Sequence, residues 1–138
     1  MKIGFIGLGN VGGKLAGSLL RNNFKLTVYD LDPKTIEKLS LKGANISKNP
    51  KELAQNSDLI ITCLPSPEIC REVMESKDGV INGLSKNKIW LEMSTTDENE
   101  VKRIGKLVKE KKAFALDGPV SGCLLYTSPS PRDRSRSR

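Results

Sequence analysis

Apolar and polar positions along residues 2–117 follow two rhythms in alternation. Residues 2–7 (KIGFIG) are a short apolar run, and residues 25–30 (KLTVYD) alternate and are rich in β-formers, so both read as strands. Residues 58–64 (DLIITCL) are almost continuously apolar, as in a strand covered on both faces. Residues 88–93 (KIWLEM), 113–117 (AFALD) and a short stretch at 44–46 complete six strands. Between them the spacing is helical. Val11, Leu15, Leu19 and Leu20 mark a helix over 11–21. Pro33 opens a helix with Ile36 and Leu39 buried and Gly43 at its end, and Pro50 opens another with Leu53 and Ala54 inward. Pro65 and Pro67 break the fourth strand, and a helix follows from about Glu68 to Glu75. Thr96 or Asp97 caps a charged helix reaching about Lys111, with Val101, Ile104, Leu107 and Val108 on one face.

Strands alternating with helices of this length imply a parallel sheet with right-handed crossovers. Six strands in this order of elements predict an α/β architecture, a doubly wound parallel sheet of the Rossmann type.

The first strand runs directly into Gly7-Leu8-Gly9-Asn10-Val11-Gly12, which also opens the first helix. A GxGxxG on its own is often a plain glycine-rich turn; between a strand and a helix it has the context that dinucleotide binding requires. Gly7 permits the tight turn, Gly9 lets the backbone approach a pyrophosphate, and Gly12 lets the helix pack on the sheet. Free amides at the helix start and the helix dipole then favour phosphate. Asp30 closes the second strand. A carboxylate there can accept hydrogen bonds from a ribose and would repel a 2′-phosphate, so NAD is expected over NADP. Lys34 keeps NADP open, since it could neutralise that phosphate.

Composition narrows the picture. The hydrophobic fraction is 37% and the charged fraction 28%, which suits a domain with a solvated outer face. No run of about 18 apolar residues exists to span a membrane. The amino terminus reads as a strand rather than a signal peptide, so the cytoplasm is the expected compartment, with an organelle form left open. Cys63, Cys70 and Cys123 form no CxxC pair, and the chain has no histidine, so neither a metal site nor a disulfide framework is expected. Cys63 reads as a buried, inert thiol inside its strand. The net charge is +7, but Arg132, Arg134, Arg136 and Arg138 concentrate much of it at the carboxyl end; the rest reads as a mildly basic surface that could draw in anions.

GFIGLGNVGGKLA, DLIITCLPSPE, WLEMSTTDE and LDGPVSG, in this order, resemble the β-hydroxyacid dehydrogenase family. That family includes 3-hydroxyisobutyrate dehydrogenase and tartronate semialdehyde reductase and shares its nucleotide domain with 6-phosphogluconate dehydrogenase. The resemblance covers about residues 2–122. It implies hydride transfer between NAD(P) and a small β-hydroxy acid. Leu64 and Pro65 match a turn on the cofactor's ribose side, and Thr95, within Ser94–Thr96, matches the nicotinamide side. Ser121 and Gly122 match the serine and glycine that hold the substrate carboxylate. Two positions depart from the family pattern: Val11, where methionine is common, and Cys123, where a second glycine is usual.

The resemblance stops at Cys123. It implies a longer parent, homo-oligomeric, with a helical domain and a lysine that acts as general acid/base. No lysine here matches that position, so no catalytic residue is assigned in this chain, and cofactor binding without turnover is expected. Residues 1–122 then form the dinucleotide-binding domain, incomplete at its C-terminal end. Residues 123–138 (CLLYTSPSPRDRSRSR) read as a disordered, non-native tail resembling translated adapter sequence. Nucleic acid and membrane are accordingly not expected partners. A non-catalytic NAD(P)-sensing module and an RNA-associated protein acting through the Arg/Ser tail are the alternative readings. Enzymes using S-adenosylmethionine share the fold, but usually carry an acidic residue just before the glycines, where Phe5 and Ile6 stand here.

Overall fold

A computed structural model of the chain describes residues 1–64, 66–93 and 97–117. Its strands are β1 (Lys2–Ile6), β2 (Lys25–Tyr29), β3 (Asn45–Ile46), β4 (Leu59–Thr62), β5 (Ile89–Glu92) and β6 (Phe114–Asp117). They form one parallel sheet in the order 3-2-1-4-5-6. The helices between them are α1 (Asn10–Arg21), α2 (Pro33–Leu41), α3 (Pro50–Gln55), α4 (Pro67–Glu75) and α5 (Glu98–Glu110). The winding reverses between β1 and β4, the place where open α/β sheets leave a crevice beyond the strand ends. Register aligns those ends: Ile6 lies opposite Tyr29 and Thr62, and Glu92 lies opposite Thr62 and Asp117.

Each sheet face has its own core. On one face Phe5, Leu26, Val28 and Ile61 pack with Ala16 of α1 and Leu39 of α2. On the other, Ile6, Ile60 and Trp90 pack with Leu53 of α3, Met74 of α4, and Ile104 and Val108 of α5. Near the edge strand β6, Phe114 and Leu116 are 56% and 54% exposed, while Ala115, between them, packs inward. Among the described residues no helix is long and apolar enough to cross a membrane.

The helix starts explain the turn chemistry. Asp32, Asn49, Ser66 and Asp97 each accept a hydrogen bond from a backbone amide of the first turn that follows. Asp97, rather than Thr96, is therefore the cap of α5. Pro33, Pro50 and Pro67 follow three of these caps, where a missing N–H costs nothing. Pro67 thus opens α4 instead of breaking β4, which already ends at Thr62. A 3-10 turn at Val80–Gly83, absent from the sequence-based expectation, buries Val80 completely.

The cysteine expectation needs correcting. Cys63 lies just beyond β4 and is half-buried, because the strand is shorter than its apolar run. The buried thiol is Cys70 on α4, which donates to Glu92 Oε2 at 3.2 Å. Thr62 Oγ1 donates to the same oxygen at 2.9 Å and accepts from Trp90 Nε1 at 2.9 Å. Burial, then the Glu92 carboxylate, pushes the Cys70 thiol far above its ordinary range and keeps it unreactive.

Lys88 performs a second kind of capping. Its ammonium donates to the carbonyls of Ala54 at 2.6 Å, Gln55 at 3.1 Å and Ser57 at 2.6 Å, gathering the carboxyl end of α3. A cation there complements the helix dipole, and burial lowers the pKa of the amine. Lys88→Met keeps the aliphatic stem but strips three carbonyls of their donor. We expect a loss of about 2 kcal/mol of unfolding free energy in urea denaturation; an unchanged midpoint would remove this role.

Candidate functional site

The glycine loop takes its shape from close packing against the sheet. Gly7 has φ +95°, a left-handed conformation natural to glycine, and a Cβ there would lie 2.1 Å from the Cys63 carbonyl oxygen. A Cβ on Gly12 would lie 2.0 Å from the Gly7 carbonyl oxygen and 3.3 Å from the Phe5 ring, so α1 can approach β1 only with glycine there. Gly9 differs: a Cβ there would meet nothing within 4 Å, because the position faces open space.

Gly9 is also the N-cap of α1, and no side chain caps this end. The other described α-helices are all capped by side chains. The Gly13 amide is the first to bond back, to the Gly9 carbonyl oxygen at 2.6 Å. The amides of the preceding turn therefore point out of the helix, where an anion would satisfy them.

A cavity of about 490 Å³ lies beyond the ends of β1, β2 and β4, at the point of reversal in the winding. Of the residues expected at the site, Gly7, Leu8, Gly9, Gly12, Asp30 and Leu64 all line it. Asn10 and Val11 begin α1. Pro65, Thr95, Ser121 and Gly122 lie outside the described residues.

Asp30 does more than the sequence suggests. Its Oδ2 accepts from the Leu8 amide at 3.0 Å and from Thr35 Oγ1 at 2.8 Å, and its Oδ1 accepts from the Leu31 amide at 2.7 Å. One carboxylate thus ties the glycine loop to the start of α2. It keeps acceptor capacity for an incoming hydroxyl, since a carboxylate offers about four lone-pair sites. Lys34 is exposed in the first turn of α2, and its backbone amide is held by Asp32.

Several lining residues escaped the sequence reading. Asp32 adds a second carboxylate beside Asp30, and Cys63 lines the cavity next to Leu64. Ile69 and Val73, on one face of α4, supply an apolar wall. For Asp32 the signal was present, an acidic residue two positions past the strand end. For Ile69 and Val73 there was none, because their place depends on how α4 folds back over the sheet.

The residues fit a dinucleotide: open space above Gly9, uncapped amides for a pyrophosphate, carboxylates for a ribose and an apolar wall for a flat ring. Comparison with known proteins agrees. Residues 2–125 match the family model of the NAD binding domain of 6-phosphogluconate dehydrogenase. Mitochondrial 3-hydroxyisobutyrate dehydrogenases are similar, at 34% identity over 120 residues for the Mus musculus protein and 37% for that of Drosophila melanogaster. Each alignment covers 87% of this chain but 36% of the relative, so the chain spans about a third of their length. The Mycobacterium tuberculosis 3-hydroxyisobutyrate dehydrogenase solved with L-serine superposes with a TM-score of 0.78 at 22% identity, over 86% of this chain and 40% of that one. A Myxococcus stipitatus imine reductase variant in complex with NAD+ gives 0.78 at 18% identity, with the same two coverages. At these identities the superpositions show the shared fold.

Proposed function

The chain belongs to the family of the NAD-binding domain of 6-phosphogluconate dehydrogenase, and from that premise we propose that it is the cofactor-binding part of a hydride-transferring oxidoreductase acting on a small β-hydroxy acid such as 3-hydroxyisobutyrate. The observation that carries this reading is the uncapped start of α1, opening onto a cavity edged by Asp30. The similarity to 3-hydroxyisobutyrate dehydrogenases supports the substrate class.

When bound, the nicotinamide would supply the hydride chemistry. The amides before Gly13 hold the diphosphate, and Asp30 orients the adenosine ribose while bracing the loop through Leu8. Ile69 and Val73 exclude water from one side of the cleft. By the family resemblance, Leu64 and Pro65 contact the ribose side, Thr95 lines the nicotinamide side, and Ser121 and Gly122 orient the substrate carboxylate. By the same resemblance, proton transfer falls to a lysine that no residue of this chain matches. The parent is a homo-oligomer working in the cytoplasm or in an organelle's aqueous interior.

NAD is favoured over NADP because a 2′-phosphate would meet both Asp30 and Asp32. Fluorescence titration should show NADH binding at least about tenfold tighter than NADPH, a difference near 1.4 kcal/mol. A preference for NADPH would overturn the cofactor choice, and no binding of either at about 1 mM would overturn the function.

A further inference from the structure

A second cavity, of about 540 Å³, lies between α1 and α2 on the other side of the glycine loop. Four cations line it: Lys14 and Arg21 from α1, Lys38 from α2 and Lys42 from the C-cap that follows α2. No acidic side chain does so. Among the described residues, none of these four side chains has a hydrogen-bond or ion-pair partner. Elsewhere Arg71 and Arg103 pair with glutamates on α4 and α5, Lys102 pairs with Glu98, and Lys88 binds three carbonyls, so the groove is set apart by four cations converging on one concavity rather than by their lack of partners alone.

The shape of the groove is as specific as its charge. Gly13 and Gly17 leave the inner side of α1 without side chains, and a Cβ on Gly17 would lie 3.5 Å from the Arg21 guanidinium. Leu8 and Leu39, both nearly fully buried, form its floor. Cations converging on a walled groove repel one another and focus a positive potential. A compact polyanion relieves that repulsion, and a guanidinium fork suits tetrahedral phosphate. A long nucleic-acid backbone would call for a stripe of cations along an extended surface, not a groove confined between two helices.

We propose that the α1–α2 groove is a second anion site, taking a small molecule with at least two phosphate groups, distinct from the dinucleotide pocket. The two cavities share only Leu8 and Gly9. Cofactor and polyphosphate therefore occupy opposite sides of one loop.

Calorimetric titration of the 138-residue chain with sodium tripolyphosphate at low salt tests this, with and without saturating NADH. The expected result is saturable binding that persists with NADH present and weakens as salt rises. Lys38→Gln with Lys42→Gln should weaken it at least about tenfold. Lys106→Gln with Lys111→Gln, the same charge change on and just after α5, should leave it within about twofold. Equal weakening in both double variants would overturn the proposal, leaving only net charge. So would displacement by NADH with no effect of Lys38 and Lys42, which would place the anion at the glycine loop, and so would the absence of saturable heat. The titration without NADH stands whether or not the chain binds NADH, so failure here is distinct from failure of the cofactor reading.

Discussion

Gly9→Val should abolish measurable NADH binding while leaving the fold intact. Its backbone, at φ −67° and ψ −163°, is open to any L-residue, and a Cβ there meets no protein atom within 4 Å. The new side chain therefore points into the space where a diphosphate must approach the amides. Losing that approach removes charge-assisted hydrogen bonds from the first turn, and an affinity loss of at least about 100-fold, or 2.7 kcal/mol, is expected. Stability should fall by no more than about 1 kcal/mol, the penalty of a poor N-cap residue. Titration and thermal melting on the same preparation separate the two. Unchanged affinity would mean that the loop is not the phosphate site. The contrast with Gly12→Val is instructive: there the clash is with the Gly7 carbonyl, and stability itself should collapse.

Asp30→Ala should damage both fold and binding. Removing the carboxylate leaves the Leu8 amide without its acceptor in a half-buried site, frees the Leu31 amide at the surface, and leaves Thr35 Oγ1 with only the Asp32 carbonyl oxygen, at 2.9 Å. One unsatisfied amide and the loss of its charge-assisted bond, softened by partial access of water, predict a loss of about 2 kcal/mol in chemical denaturation. NADH affinity should drop at least about 100-fold, since the ribose loses its acceptor and the glycine loop loses its brace. Asp30→Asn distinguishes these roles. An amide can keep its oxygen on Leu8 and Thr35 and gives up only the exposed bond from the Leu31 amide, which its NH2 cannot accept, so stability should fall by only about 1 kcal/mol. With the charge removed, discrimination against NADPH should narrow. If Asp30→Ala melts and binds like the parent chain, Asp30 holds neither loop nor ribose.

The elements that sequence captured best are those with strong local signals. β1, the glycine loop and α1 were legible because an apolar run, three glycines and a helical period follow one another without a gap. Asp30 was legible as a strand end. Its grip on Leu8 was not, since that bond spans 22 positions of the chain. The 3-10 turn at Val80–Gly83 was missed because four residues carry no period, and it is held by packing against α3. The roles of Cys63 and Cys70 were misjudged for the same kind of reason: burial of Cys70 depends on Glu92 and on α4 lying over β5.

From the chain alone came the order of strands and helices, the doubly wound class, the glycine loop and its acidic companion. All of these follow from periodicity, turn chemistry and short-range spacing, which act between neighbours in sequence. Tertiary structure alone decided that α4 walls the cavity beyond β1, β2 and β4, that Asp30 braces the loop, that Glu92 is fully buried, and that four cations without a partner among the described residues share one groove. Such facts depend on which distant residues meet when helices fold onto a sheet, and no local pattern in the chain encodes that meeting.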